Sequence, residues 1–405
     1  VSEEPATIQF SAPSYSAGEG SPQVQVNVTR LGDTSGPATV TLTTSDSAGS
    51  QACNVINNRA SARCDYNSVA TTLSFAAGEA SKSVGISIIN DAYQEGDETL
   101  TVSLANPSGA ALGSKPTATV TIVDDDASPG PNPLAQAGFF VRQQYLDFLN
   151  REPDPSGFNF WTNQITSCGS DAQCTEVRRI DVSASFFLSI EFQNNGYLVE
   201  RFYKVAYGNA NGNSTFGGAH QLPVPVVRFN EFLQDTQRLG QGVIVLQAGW
   251  EQALENNKQA YALEFVQTSR FTAAGAFPTT LTPTEFVDKL NLNAGNVLSP
   301  GERTTAINLF GGAANSSNTT ARAQAVRQVA EDTDLYNAEY NRAFVLAEYY
   351  GYLRRNPNDA PESNLDYTGY DFWLTKLNQF NGNYIDAEMV KAFLSSMEYN
   401  QRFAP

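Results

Sequence analysis

The stretch from Ala127 to Pro133, Ala-Ser-Pro-Gly-Pro-Asn-Pro, separates two different hydrophobic periods. Its prolines remove backbone donors and fix φ, so neither a helix nor a sheet ladder runs through it, and it reads as a semi-rigid linker. Before it, apolar and polar residues alternate in short runs. After it, apolar residues recur every three to four positions. That switch predicts an all-β part followed by a mainly helical part. The 405 residues supply enough chain for at least two cores.

The alternating runs fall at 7–10, 24–28, 39–42, 72–75, 83–88, 99–104 and 119–123, each bounded by Gly, Pro, Asp or Asn. About seven such strands fit an immunoglobulin-like antiparallel β-sandwich over residues 1–126. The linker is placed at 127–137. Over 138–405 the spacing predicts helices at 139–148, 182–193, 197–207, 226–238, 250–271, 284–291, 300–310, 320–353, 370–379 and 386–402. This helical part repeats itself. Tyr145 to Pro153 and Gly157 to Trp161 are echoed by Tyr349 to Pro357 and Gly369 to Trp373, and Phe186 to Phe192 is echoed by Phe393 to Tyr399. Leu263 to Phe271 reads as a degenerate third copy of that closing helix. Three repeats at about 138–195, 196–272 and 284–403 follow, burying faces on one another.

Lys and Arg total 25 against 42 for Asp and Glu, a net charge of −17. Binding nucleic acid or an anionic membrane needs clustered cations, so those partners are excluded. No apolar run approaches the roughly 20 residues that span a bilayer. Val1 opens the chain without basic or apolar leader regions, which reads as a mature, exported chain. The four cysteines form two close pairs, Cys53 with Cys64 and Cys168 with Cys174. Neither has the spacing of a zinc knuckle or a redox motif, and the chain has one His, so two local disulfides in an oxidising compartment are expected.

From Thr72 to Asp126 the sequence resembles the Calx-β family. Phe75-Ala-Ala-Gly-Glu79, Ile88 to Glu98, Val120 to Asp126 and the pair Asp65-Tyr66 match its spacing. The resemblance implies a β-sandwich holding Ca²⁺ at one end, with Glu19, Asp65, Asp91, Glu95, Glu98, Asp124, Asp125 and Asp126 as ligands beside the carbonyl of Tyr93. The residues themselves point the same way. Asp124 and Asp126 end a strand and share one face about 6.6–6.8 Å apart. Crowded carboxylates repel unless a hard cation joins them, and Ca²⁺ takes about 6–8 oxygens. Two departures, Asn90 where the family often has Asp and a cysteine-bearing insertion over 47–63, put one ion site in question.

The helical repeat resembles the extracellular modules called DUF4214, through Phe140, Tyr145, Arg151-Glu-Pro-Asp-Pro, Gly157, Trp161, Ser189, Glu191 and Phe192. That resemblance implies a secreted or surface context and no particular chemistry. The pairing of the two modules is similar to exported proteins of soil and environmental bacteria, acidobacteria-like in arrangement.

Sharper chemistry finds little support in the sequence. His220 sits in a Gly- and Pro-rich stretch, and no G-x-S-x-G elbow accompanies it. Gly240-Gln-Gly242 lacks the third glycine of a dinucleotide turn. Trp161 and Trp373 stand at helical spacing and read as core rather than as sugar platforms. Glu152 and Asp154 read as a capped turn rather than a cation site. The four Asn-x-Ser/Thr sequons, at Asn27, Asn213, Asn315 and Asn318, matter only in a host that glycosylates. The expectation is a secreted or cell-surface, non-enzymatic structural or adhesion protein, with a glycan-binding module and a secreted hydrolase as alternatives. Exposed sandwich edges and the alternating amino-terminal stretch favour a homo-oligomer or filament, since a head-to-tail contact that does not close propagates.

Overall fold

A computed structural model describes residues 4–46, 48, 53–127, 130–273 and 275–405. Among the described residues the β region forms two sheets from nine strands: β1 (Thr7–Phe10), β2 (Ser14–Gly18), β3 (Gln23–Leu31), β4 (Ala38–Ser45), β5 (Ala70–Phe75), β6 (Ser81–Ser87), β7 (Glu98–Ser108), β8 (Ala111–Leu112) and β9 (Thr117–Val123). One sheet runs β6-β3-β1-β8 and the other β2-β9-β7-β4-β5. Alternation does what the sequence demands: Val24, Val26 and Val28 of β3 and Leu100, Val102 and Leu104 of β7 point into one shared core with Phe10, Tyr66 and Phe75, while their neighbours face out. Two edge pairs are parallel rather than antiparallel, β1 with β8 and β2 with β9. The second matters for the site below. It aligns Gly18 with Val123, so Glu19 and Asp124 leave the sheet side by side.

The chain divides into two compact units. The first comprises Val1–Phe186, Gly351–Arg354 and Lys391–Pro405; the second comprises Phe187–Tyr350 and Arg355–Val390. In the first unit, the carboxyl-terminal segment is bound to the sandwich. The Tyr93 hydroxyl donates toward the carbonyls of Gln401 and Ala404, at 2.9 and 2.7 Å, and the Ala92 amide donates to the Phe403 carbonyl at 2.9 Å. The Arg402 guanidinium, fully buried, makes two bonds of 3.0 Å to the Asp147 carboxylate and others to the carbonyls of Arg63 and Tyr352. The inserted loop is the shelf for this contact: Arg63 pairs with Glu398 at 2.7 Å, and Cys53 and Cys64 cluster with Tyr93. Both expected disulfides are formed, with Cα atoms 5.7 Å apart in Cys53–Cys64 and 5.6 Å in Cys168–Cys174.

Beyond the sandwich the fold is mostly helical, and the sequence echo is a structural echo. Tyr145–Leu149 and Tyr349–Leu353 are both single π-helical turns, and each is followed by a residue at positive φ, Asn150 and Arg354. The glycines of the motif have a steric cause. A Cβ on Gly157 would lie 2.1 Å from the Tyr145 hydroxyl oxygen, and one on Gly369 would lie 2.5 Å from that of Tyr349. Arg151 and Arg355 stack over the same two tyrosine rings, at 5.0 and 5.3 Å.

Several helix limits differ from the expected ones. The helix expected at 182–193 is broken at Ser189: Ala172–Phe187 ends before it, and Ile190–Tyr207, which takes in the helix expected at 197–207, begins after it, because Ser189 caps it by accepting from the Phe192 amide. The run at 320–353 breaks the same way at Asp332, which accepts from the amides of Asp334 and Leu335. A helix at Pro155–Thr166 and a hairpin, β10 (Ala210–Ser214) with β11 (His220–Val224), were not anticipated.

Candidate metal centre

The end of the sandwich where β2 and β9 stop collects carboxylates from five segments. Glu19 follows β2, and its amide donates to the Val123 carbonyl at 2.9 Å. Asp65 comes from the end of the inserted loop, where its carboxylate accepts from the Ser61 amide and its carbonyl accepts from Ile89. Asp91 and Glu95 lie in the loop between β6 and β7, Glu98 opens β7, and Asp124 to Asp126 follow β9. Two groups result. Oxygens of Glu19, Asp124 and Asp126 lie within 4.8 Å of one another, and so do those of Asp65, Glu95 and Glu98. Glu19, Asp65, Glu95, Glu98 and Asp124 also line a small cavity of about 10 Å³, the space of one water-sized sphere.

Backbone amides set the geometry. Asp124 accepts from the amides of Glu95, Gly96 and Asp126 at 2.9, 2.6 and 2.8 Å, which ties the 91–98 loop to the end of β9. Glu19 accepts from the Asp91 amide at 2.7 Å, and Asp91 accepts from the Tyr93 amide at 2.8 Å. What the carboxylates lack is positive charge. Among the described residues none of the eight forms an ion pair with Lys or Arg, although Glu19, Asp65, Asp91 and Glu98 are only 5–7% exposed. Asp91 Oδ2 and Asp126 Oδ2 are buried without any hydrogen-bond partner.

Titration behaviour reflects that deficit. Burial, followed by the charges of Asp126, Asp124 and Asp65, pushes Glu19 up to about 8, against the opposing bond from the Asp91 amide. Burial with Asp65, Glu19 and Asp124 raises Glu95 to about 8. Asp91 is raised well above the carboxylate range by burial and by Glu19 and Asp65. Asp65 is raised too, by burial and then by Glu98, with which it shares a hydrogen bond; Glu98 rises to about 7. An all-oxygen donor set with orphaned buried oxygens and no counter-charge fits a hard divalent cation, and Ca²⁺ in particular takes such ligands at flexible angles.

With that geometry in place, the comparisons with known proteins are consistent in location and order. The Calx-beta domain model matches residues 2–126. Residues 2–126 belong to the Calx-beta family. A domain of unknown function, DUF4214, matches residues 135–196. The Calx-beta stretch is similar to the "apo-form Calx CBD1 domain", at 34% identity, over 30% of this chain and all of that one, with a TM-score of 0.27. It is also similar to the "calcium binding domain CBD12 of CALX1.1", at 34% identity over 29% of this chain and 46% of that one, with a TM-score of 0.26. Among curated proteins, "Adhesion G-protein coupled receptor V1" of Danio rerio is 42% identical over 67 residues, 16% of this chain. The chain spans about 1% of that relative's length.

Other residues singled out in the sequence take ordinary roles. Asp91 and Asp125 belong to neither carboxylate group, and the Tyr93 hydroxyl bonds the carboxyl-terminal segment. Asp154 caps the helix Pro155–Thr166 by accepting from the Gly157 amide at 2.9 Å, and Glu152 pairs with Arg142 at 2.6 Å. His220 lies on β11. Its Nε2 is 3.2 Å from an Asp371 oxygen that also accepts from Ser214 Oγ at 2.6 Å. With the carboxylate in the middle, no imidazole can take the serine proton, so this is not a catalytic triad. Trp161 and Trp373 meet Phe160 and Phe372 edge-on, at 76° and 74°, so neither pair makes a coplanar sugar platform.

Proposed function

We propose that this protein is a secreted or cell-surface, non-enzymatic adhesion or matrix component whose amino-terminal Calx-beta domain is stabilised by Ca²⁺. The observation that carries the reading is the pair of carboxylate groups, together with buried, unpartnered oxygens on Asp126 within one of them and on Asp91, whose amide bonds Glu19. The ligand set is Glu19, Asp65, Asp91, Glu95, Glu98, Asp124 and Asp126, joined by Asp125 and the Tyr93 carbonyl from the edge. Two disulfides fit an oxidising compartment, and the name of the curated relative, an adhesion receptor, fits the role. Among the described residues no helix is long and apolar enough to cross a membrane. Residues 1–126, 127–137 and 138–405 are proposed as module, connector and repeat module. Thermal melting of the full chain in Ca²⁺ and in chelator tests the calcium reading: a cation bound only to the folded state at 100 times its Kd adds about 2.7 kcal/mol. Identical melting curves refute it.

The same reading extends to self-assembly. β5 and β6 are edge strands of their sheets, and an edge accepts an added strand from a second copy. Light scattering at millimolar Ca²⁺ should show species larger than 43.8 kDa that grow with concentration. A monodisperse monomer at all concentrations refutes this extension alone.

A further inference from the structure

In the second unit, the helices Ile190–Tyr207, Trp250–Phe265 and Thr333–Glu348 and the turn at Glu331 line a cavity of about 230 Å³. Its walls are mostly polar. Arg201 reaches it from inside the bundle, only 7% exposed. Its Nε donates to the Ala330 carbonyl at 2.6 Å, and its guanidinium lies over the Tyr336 ring, 5.0 Å from the centroid. That leaves the guanidinium fixed in place while, among the described residues, no acceptor meets Nη1 or Nη2.

Lys258 lines the same cavity. Its ammonium donates to Asn194 Oδ1 at 2.9 Å and Glu331 Oε1 at 2.8 Å, which leaves a third N–H. Glu331 does not cancel both cations, because its other oxygen is taken by Arg327 Nε at 2.8 Å. Tyr336 and Gln193 join across the wall, hydroxyl to amide oxygen, at 3.3 Å. The result is a polar hollow with a held, unsatisfied guanidinium edge, in a chain whose net charge is −17.

We infer that this cavity is a binding site for an acidic sugar, a hexuronate whose carboxylate meets the Nη edge of Arg201 and the free N–H of Lys258. The planar guanidinium fork matches a carboxylate with two parallel bonds. A bare phosphate or sulfate would satisfy that fork but leave most of the hollow to water. A sugar ring fills it and offers hydroxyls to the Gln193, Asn194 and Tyr336 polar atoms. Scarce apolar wall argues against a fatty or aromatic acid, and the negative chain repels densely charged phosphate polymers. The inference stands apart from calcium at the sandwich, which is in the other unit.

The test is calorimetric titration of the full chain with sodium D-glucuronate, in chelator so that calcium bridging by the sugar gives no signal. For roughly 13 non-hydrogen atoms at ordinary ligand efficiency, the expected Kd is about 1 mM. D-glucose, acetate and inorganic phosphate should bind at least about tenfold more weakly. Arg201→Lys keeps the charge and loses the fork, and should weaken glucuronate about tenfold; Lys258→Met should weaken it several-fold with unchanged circular dichroism. Should Arg201→Lys fail to fold, Lys258→Met decides. Absence of saturation by about 50 mM glucuronate, equal binding of acetate or phosphate, or unaltered affinity in Lys258→Met overturns the inference.

Discussion

Replacing Asp147 by Asn removes one charge from an ion pair that water does not reach. The Arg402 side chain has no exposed surface and that of Asp147 is 2% exposed, and the pair is joined by two contacts of 3.0 Å. Removing one partner of such a pair costs about 3–5 kcal/mol, because the survivor stays charged and buried. Arg402 keeps the carbonyls of Arg63 and Tyr352 at 2.8 and 2.9 Å, so the lower end, about 3 kcal/mol, applies. That is about a 10²-fold rise in the population with the carboxyl-terminal segment released. A chain of two units need not unfold in one step, so the right assay is local: hydrogen exchange of peptides covering 397–405. The double variant Asp147→Asn with Arg402→Met should recover much of the loss, since it removes the charge orphaned on Arg402 and with it the repulsion of buried Arg354. Less than a tenfold change in exchange for Asp147→Asn, or strictly additive single effects, would refute the reasoning.

Glu348 is fully buried with neither carboxyl oxygen hydrogen-bonded, and burial holds its pKa well above the ordinary range; Glu200 is pushed up to about 8 by burial and Glu339. Both keep protons in the folded state that the unfolded chain releases above about 4.5, so stability falls as pH rises from there towards 8 and beyond. Glu348→Gln should therefore stabilise by about 1–3 kcal/mol at pH 8, with the gain shrinking towards pH 4.5, as denaturant titration at both pH values will show. The first repeat already carries this choice, since Gln144 occupies the matching position and bonds the Tyr399 hydroxyl at 3.1 Å. Gly157→Ala and Gly369→Ala should each cost about 1–3 kcal/mol by crowding the tyrosine hydroxyls, measured as a lowered melting temperature; a neutral outcome in both would mean the motif glycines serve something else.

The strands were legible because alternation on a half-buried sheet has a period of two. β2 escaped notice because Ser14-Tyr-Ser-Ala-Gly18 is an edge strand with no fully buried side chain to reveal it. The hairpin β10–β11 was hidden for a related reason: Ala-Asn-Gly-Asn-Ser has no apolar face. The helices expected at 182–193 and 320–353 each run through a signal that periodicity overrides, a Ser or Asp N-cap at 189 and 332 inside an apolar pattern. The carboxylate cluster could be read because its members sit at strand ends whose spacing resembles a known family. The docking of Arg402 on Asp147 could not, since a partner 255 residues away leaves no local trace. Arg201 was missed for the same reason: a lone arginine in a helix looks solvated until its surroundings are seen.

If the crowded carboxylates bind a cation and hold protons without it, cation uptake and proton release must be coupled. Calcium titration of the full chain at pH 7, repeated in two buffers of different ionisation enthalpy, measures both at once. Glu19 and Glu95 lie at about 8 and Glu98 at about 7 without metal, so each bound ion should expel protons, and affinity should rise with pH. Buffer-dependent heats that vanish in Asp124→Asn with Asp126→Asn are the predicted result. Saturable binding with no proton release, or no binding at all at millimolar Ca²⁺, would contradict the account.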